Sequence, residues 1–142
     1  MSAKVAGKFE HAAHTANMWV HEIAKAFPTE NRHFAYRVLR AWLHTLRDRL
    51  TVEAVAHFAA QLPELVRGVY YEGWDPSKVP ERFDRDTYIV RFAHEAGISE
   101  QDVPRAAKAV TSALLNHVTT GQVDKAFDQL PDSIRSLLQP ER

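Results

Sequence analysis

The chain has 142 residues, 45% hydrophobic and 25% charged, and its 18 Lys+Arg balance 18 Asp+Glu. This is the composition of a globular protein with one ordinary core or two very small ones. Zero net charge points neither to nucleic acid nor to an anionic membrane. The absence of cysteine excludes disulfide scaffolds, thiolate zinc sites and cysteine nucleophiles.

Helical periodicity runs through the whole sequence. Phe9, Ala16, Val20, Ile23 and Phe27 recur at spacings of three, four and seven, which places them on one face of a first helix stopped by Pro28. A second helix is expected over about residues 30–49, from Glu30 to Arg49, with the stripe Ala35, Leu39, Trp42, Leu43, Leu46 and Leu50. Thr51 suits the N-cap of a third, with Val52, Val55, Phe58, Ala59 and Leu62 facing inward. Pro63 opens a short fourth helix carrying Leu65, Val66, Val69 and Tyr70. Residues 73–83, with two prolines, read as a linker.

The pattern then restarts. Asp84 is the expected cap of a helix bearing Tyr88, Ile89, Phe92 and Ala96, closed by Gly97. Either Ser99 or Asp102 caps the next, and Pro104 favours Asp102, because proline fits only a first turn. That helix presents Val103, Ala107, Val110, Leu114 and Val118. Thr119 and Gln122 form an expected capping box ahead of Val123, Ala126, Phe127 and Leu130. Pro131 opens a last short helix with Ile134, Leu137 and Leu138. No segment alternates with the period of two that marks a strand.

Two stretches of this pattern match residue for residue. Gln61-Leu62-Pro63-Glu64-Leu65-Val66-Arg67 corresponds to Gln129-Leu130-Pro131-Asp132-Ser133-Ile134-Arg135 at an offset of 68. The same offset pairs Arg37 with Arg105, Ala41 with Ala109, Leu46 with Leu114 and Thr51 with Thr119. Each shared residue has a structural reason. Leu closes one helix onto the core and Pro starts the next. The acid complements the helix dipole in the first turn, and the Arg one turn later is placed to pair with it. The expected fold is therefore all-α, two tandem copies of one helical unit packed into one compact bundle. Residues 1–72 hold the first copy with an N-terminal extension, and 84–142 hold the second. A unit of about 60 residues buries too little surface to stand comfortably alone, so one cooperative core is expected.

Several of these residues also carry a resemblance. Leu46-Arg47-Asp48-Arg49-Leu50-Thr51, Ala60-Gln61-Leu62-Pro63, and the run from Arg67 through Tyr70-Tyr71-Glu72-Gly73-Trp74-Asp75-Pro76 resemble the prokaryotic family called domain of unknown function 2267. Trp19, Ala35-Tyr36 and Leu39-Arg40-Ala41 are similar to it as well, and the likeness spans roughly residues 16–138. The resemblance implies an all-helical bacterial protein built from a doubled unit. It implies no activity. Nothing in the second copy matches Tyr70 to Pro76.

Three groups of residues are candidates for function. His33, Arg37, Arg40, His44 and Arg47 form a basic stripe on the second helix, opposite much of its Leu stripe. Such a stripe suits phosphates or an acidic partner, and it equally suits a solvated helix face. At the equivalent places stand Gln101, Arg105, Lys108, Ser112 and Leu115, so only two of five stay basic. His11, His14 and His21 share one face of the first helix near Glu22, but there is no HExxH, and no metal site is expected. Tyr71 and Trp74, beside Gly73, either form a recognition surface or fasten the linker to the core.

Enzyme chemistry finds no support. The five Gly form no phosphate loop, and no serine sits in a nucleophile motif. No cofactor is expected. The N-terminus has no apolar run of signal-peptide length, and nothing approaches the about 18 apolar residues of a membrane span. The expected protein is a cytoplasmic, non-enzymatic interaction or regulatory module acting on another protein. The alternative is a nucleic-acid- or ribosome-associated factor using the basic face. Arg37, Arg40, His44, Arg47, Tyr71 and Trp74 are the candidate partner surface, no membrane is involved, and a homodimer is compatible with either reading.

Overall fold

A computed structural model describes residues 3–27, 29 and 31–140, with side chains from residue 6 onward. The described residues form helices and connections without a strand. In chain order the helices are α1 (Ala3–Ala26), α2 (Arg32–Arg49), α3 (Val52–Ala59), α4 (Glu64–Tyr71), α5 (Arg85–Ala96), α6 (Val103–Leu114), α7 (Thr120–Phe127) and α8 (Asp132–Leu138). A 3-10 turn, Glu100–Asp102, leads into α6. No helix among the described residues is long and apolar enough to cross a membrane.

Local chemistry sets most of these boundaries. Asn31 caps α2 by accepting from Phe34 N at 3.1 Å, Thr51 caps α3 through Ala54 N at 3.2 Å, and Asp84 caps α5 through Thr87 N at 2.9 Å. Gly97 ends α5 at φ 70, in the left-handed conformation that a side chain resists. Pro63 and Pro131 each stand at the N-cap, one position earlier than the first-turn place expected of them. Two expected features fail. Asp102 precedes α6, but its side chain makes no cap bond and instead accepts from Ser99 Oγ at 3.0 Å. Thr119 Oγ1 accepts from Gln122 N at 3.4 Å, whereas Gln122 Oε1 is buried without a partner, so only half of the capping box forms. Pro28 and Glu30, the expected stop and start around the first connection, lie outside the described residues.

The apolar stripes meet in one continuous core that runs from Trp19 to Leu138. Its middle is Trp42. The indole packs against Phe58 at 6.0 Å and Phe127 at 6.2 Å, and its Nε1 donates to Thr111 Oγ1 at 3.0 Å. The same hydroxyl donates on to Ala107 O at 3.0 Å, so the buried polar group is satisfied in both directions. α2 packs against α1, α4, α5 and α6, while α6 packs against α1, α2, α5 and α8. α3 and α7 pack against each other. Three residues expected inside are outside: Phe9 is 61% exposed, Leu65 49% and Val52 44%. Each sits within two residues of its helix's first turn or on the free half of α1, where the stripe runs past the surface that covers the rest.

Candidate functional site

The basic stripe of α2 is only partly the solvated face expected: His33 is exposed, Arg37 and Arg40 are half-buried, and His44 and Arg47 are buried. His44 is 6% exposed and Arg47 5%. The cause lies at the ends of two other helices. The last carbonyls of a helix have no partner within it and carry the negative end of its dipole. α4 and α5 bring these ends to α2, and the basic side chains receive them. Arg37 Nε donates to Ala96 O at 3.2 Å, at the end of α5. His44 Nε2 donates to Val69 O at 2.6 Å. Arg47 NH1 donates to Tyr70 O and to Glu72 O, both at 2.8 Å, and its Nε reaches Asp48 Oδ1 at 2.9 Å. The planar fork of arginine suits this task, because one head group serves two carbonyls and a carboxylate.

Arg40 completes the clamp. It donates to Glu72 Oε1 at 2.7 Å and lies 3.1 Å from Glu95 Oε1. The hydrogen bond from Arg40 holds the Glu72 carboxyl below the usual carboxylate range, and the same bond raises Arg40. Glu95 Oε1 also meets His44 Nδ1 at 2.5 Å. His33 is exposed and stands outside this network. Between α2 and α5 an open cleft of about 470 Å³ is bordered by Arg40, Asp48, Arg91, His94 and Glu95. Most of its charges are paired within the fold, Arg40 with Glu95, Asp48 with Arg47, and Arg91 with Glu81.

The linker aromatics are likewise engaged. Gly73 turns the chain at φ 74, and Trp74 N donates to Tyr71 O at 3.0 Å. Tyr71 lies 5.3 Å from Tyr70 and 5.4 Å from Trp74, in a row leaning on the core. Trp74 is half-buried, and its Nε1 has no hydrogen-bond partner. Of the two sequence readings, the geometry is that of a fastened linker. Further along, Glu81 N donates to Asp48 O at 2.7 Å and Arg49 NH1 to Glu81 O at 3.2 Å. Phe83 lies beneath Arg49 and Arg91, at 5.8 and 4.2 Å. Burial, and then the like charge of Arg82, lowers the pKa of Arg49.

His11, His14 and His21 are exposed, and His21 Nδ1 faces Arg32 NH2 at 3.3 Å. Among the described residues no three His, Asp or Glu side chains converge as a metal site would need. Glu22 is instead bonded to His117 at 2.6 Å, and His117 stacks on Trp19 at 5.0 Å. The repeated arginines also differ from expectation. Neither pairs with its first-turn acid. Arg67 donates to Ala59 O and Leu62 O at 3.0 and 2.8 Å, and Arg135 bonds Asp128 and Asp124 of α7 at 2.6 and 3.2 Å. In both cases a later helix is tied back to the one before it.

Two concave surfaces have no counterpart in the sequence reading. One is a groove of about 650 Å³ where the free half of α1 (Gly7, His11, Thr15) faces the start of α4 (Pro63, Glu64, Arg67). The other is a cleft of about 240 Å³ between α3 and α7. A signal for the second was available: His57 and Lys125 stand 68 residues apart, the offset of the repeat, and they meet across that cleft at 3.3 Å.

A search of curated proteins finds no match to the chain. The model of the family described as an uncharacterized conserved protein (DUF2267) matches residues 16–137. The match takes in every helix from α2 to α7, the whole clamp and the linker, and it leaves out the free half of α1. The chain therefore belongs to the DUF2267 family of uncharacterized conserved proteins.

Proposed function

We propose that this chain is a cytoplasmic, non-enzymatic interaction module that binds another protein, and that its body is two copies of one helical unit related by an approximate twofold axis. The doubling is supported by correspondences of several kinds. α3 and α7 each follow a capping Thr, and α4 and α8 each follow Pro. α1 packs on α6 as α5 packs on α2, and α4 packs on α2 as α8 packs on α6. His57 and Lys125 stand 68 residues apart and touch each other, which is the behaviour of equivalent positions beside a twofold axis.

The observation that carries the interaction reading is Phe9. It is a large aromatic side chain, 61% exposed, on the half of α1 that precedes the family-matched span. On a different face of the same half of α1, a groove of about 650 Å³ opens toward α4. A large aromatic side chain left uncovered on a helix is the kind of residue that anchors a protein contact. The nucleic-acid alternative is the weaker reading, because the basic face it relies on is spent on carbonyls and carboxylates within the fold.

Capture experiments on cell extract test this with three proteins: wild type, Phe9→Ser and the linker variant Lys78→Met. A specific partner is expected on wild type and Lys78→Met and absent from Phe9→Ser, with helical circular dichroism unchanged in all three. Equal capture by Phe9→Ser overturns the assignment of the surface. Retention of RNA that weakens steeply with salt replaces the protein reading with the nucleic-acid one.

A further inference from the structure

We propose that the cleft between α3 and α7 binds a small aliphatic α-amino acid. This goes beyond the interaction surface on α1, from which it is independent. The cleft is about 240 Å³. At roughly 30 Å³ per water this holds about eight non-hydrogen atoms, which is the size of valine.

Its chemistry divides into three parts. Phe58, Ala54 and Ala126 line it with apolar surface, and Phe58 and Ala126 are buried parts of the core. Such a surface takes a short hydrocarbon side chain. At one side Lys125 Nζ donates to His57 Nε2 at 3.3 Å. Among the described residues Lys125 pairs with no carboxylate, so an ammonium at the cleft has an imidazole as its described partner. A lysine has three donors, and this contact uses one. A carboxylate is the group that completes it.

The third part is acceptor-rich. Gln122 lines the cleft, and its Oε1 is buried without a hydrogen-bond partner. A buried acceptor left unmade is unfavourable, so a turn of the Gln122 side chain that presents it to a donor in the cleft is favoured. Glu53 lines the cleft one turn before His57 on α3. Together these residues ask for a positively charged N–H donor close to a carboxylate, which is an α-amino acid in its zwitterionic form. The position also fits, since small-molecule sites favour the seam between packed units.

The test is a titration of the full-length ¹⁵N-labelled chain with L-valine, isovalerate, which lacks the amine, and isobutylamine, which lacks the carboxylate. Saturable valine binding is expected, with amide shifts concentrated in residues 51–58 and 122–129. Both truncated probes are expected to bind at least about tenfold more weakly, the loss of one charge-assisted bond. Lys125→Met and Glu53→Gln are expected to weaken valine by a similar factor, and Lys78→Met to leave it unchanged. All three replaced residues are exposed, and unchanged helical circular dichroism checks the fold. Absence of saturable valine binding overturns the proposal. So does isovalerate binding as tightly as valine, or Lys125→Met binding valine as tightly as wild type.

Discussion

The joint between α2 and α4 and the joint between α6 and α8 each set a short helix that follows a proline against a longer one, yet they are held by different chemistry. In the first, His44 and Arg47 of α2 donate to Val69 O, Tyr70 O and Glu72 O at the end of α4. In the second, the residues 68 positions on from His44 and Arg47 are Ser112, which is exposed, and Leu115, which rests against the core. There α8 contributes Ile134, Leu137 and Leu138, all buried. The comparison teaches that the arrangement of helices does not depend on either solution. A helix end facing a neighbour needs its carbonyls answered; a helix side facing the same neighbour needs only apolar surface.

The largest effects are expected where each joint loses its main residue. Leu138→Ala empties a fully buried site and should lower stability by about 3 kcal/mol in urea unfolding, as truncated core leucines do. Arg47→Met should lower it by about 2 to 3 kcal/mol, because two buried carbonyls and Asp48 lose a charged donor. Arg47→Lys should recover only part of this, since an ammonium cannot span the same fork. If Arg47→Met proves neutral, the two joints are alike after all and the distinction collapses.

Trp42 sits where the joints share one core. Trp42→Phe keeps a large ring against Phe58 and Phe127 but removes the bond to Thr111, for an expected loss of about 1 kcal/mol. Because the core is continuous, calorimetry should show one transition in wild type and in this variant. Two resolved transitions would mean that the joints belong to separate cooperative units.

How far the sequence anticipates all this depends on how local each cause is. Thr51, Asp84, Gly97 and the two prolines act within four residues, so the helix ends they set are readable from the chain. The stripe of α6 is readable too, since all five of its expected residues are buried. The fate of the α2 basic face is not. Periodicity separates that face from the Leu stripe, but nothing near Arg37 or Arg47 announces that the ends of α4 and α5 will arrive from 23 to 59 residues away. Phe9, Val52 and Leu65 fail for a related reason. Spacing says which residues share a face and cannot say where the covering surface stops. The α3–α7 cleft is lined by two segments far apart in the chain, so neither half of its lining looks like a site alone.

A smaller contrast separates the two capping threonines. Thr51 accepts from Ala54 N at 3.2 Å and Thr119 from Gln122 N at 3.4 Å. Thr51→Ala should lower stability by about 1 kcal/mol, and Thr119→Ala by less, because its bond is longer and the reciprocal Gln122 contact is missing. Equal losses, measured as thermal midpoints under one condition, would show that the half-formed box is as effective as the simple cap.

The smallest effect is a dependence on pH confined to the first joint. Arg40 holds the Glu72 carboxyl below its ordinary value, whereas Pro140, 68 residues further on, cannot titrate. A carboxyl depressed in the folded state adds stability that is complete above its unfolded pKa, about 4.3 for Glu, and is lost as pH falls through the folded value. Wild type should therefore be slightly more stable than Glu72→Gln at neutral pH. The gap should close as the solution is acidified below about pH 4, because the protonated acid and the amide are then alike in charge. Both partners reach solvent, so the gap should also shrink with added salt. Absence of any gap at neutral pH would assign the contribution of Glu72 to its backbone carbonyl, which is bonded to Arg47 and kept in the variant, and not to its carboxylate.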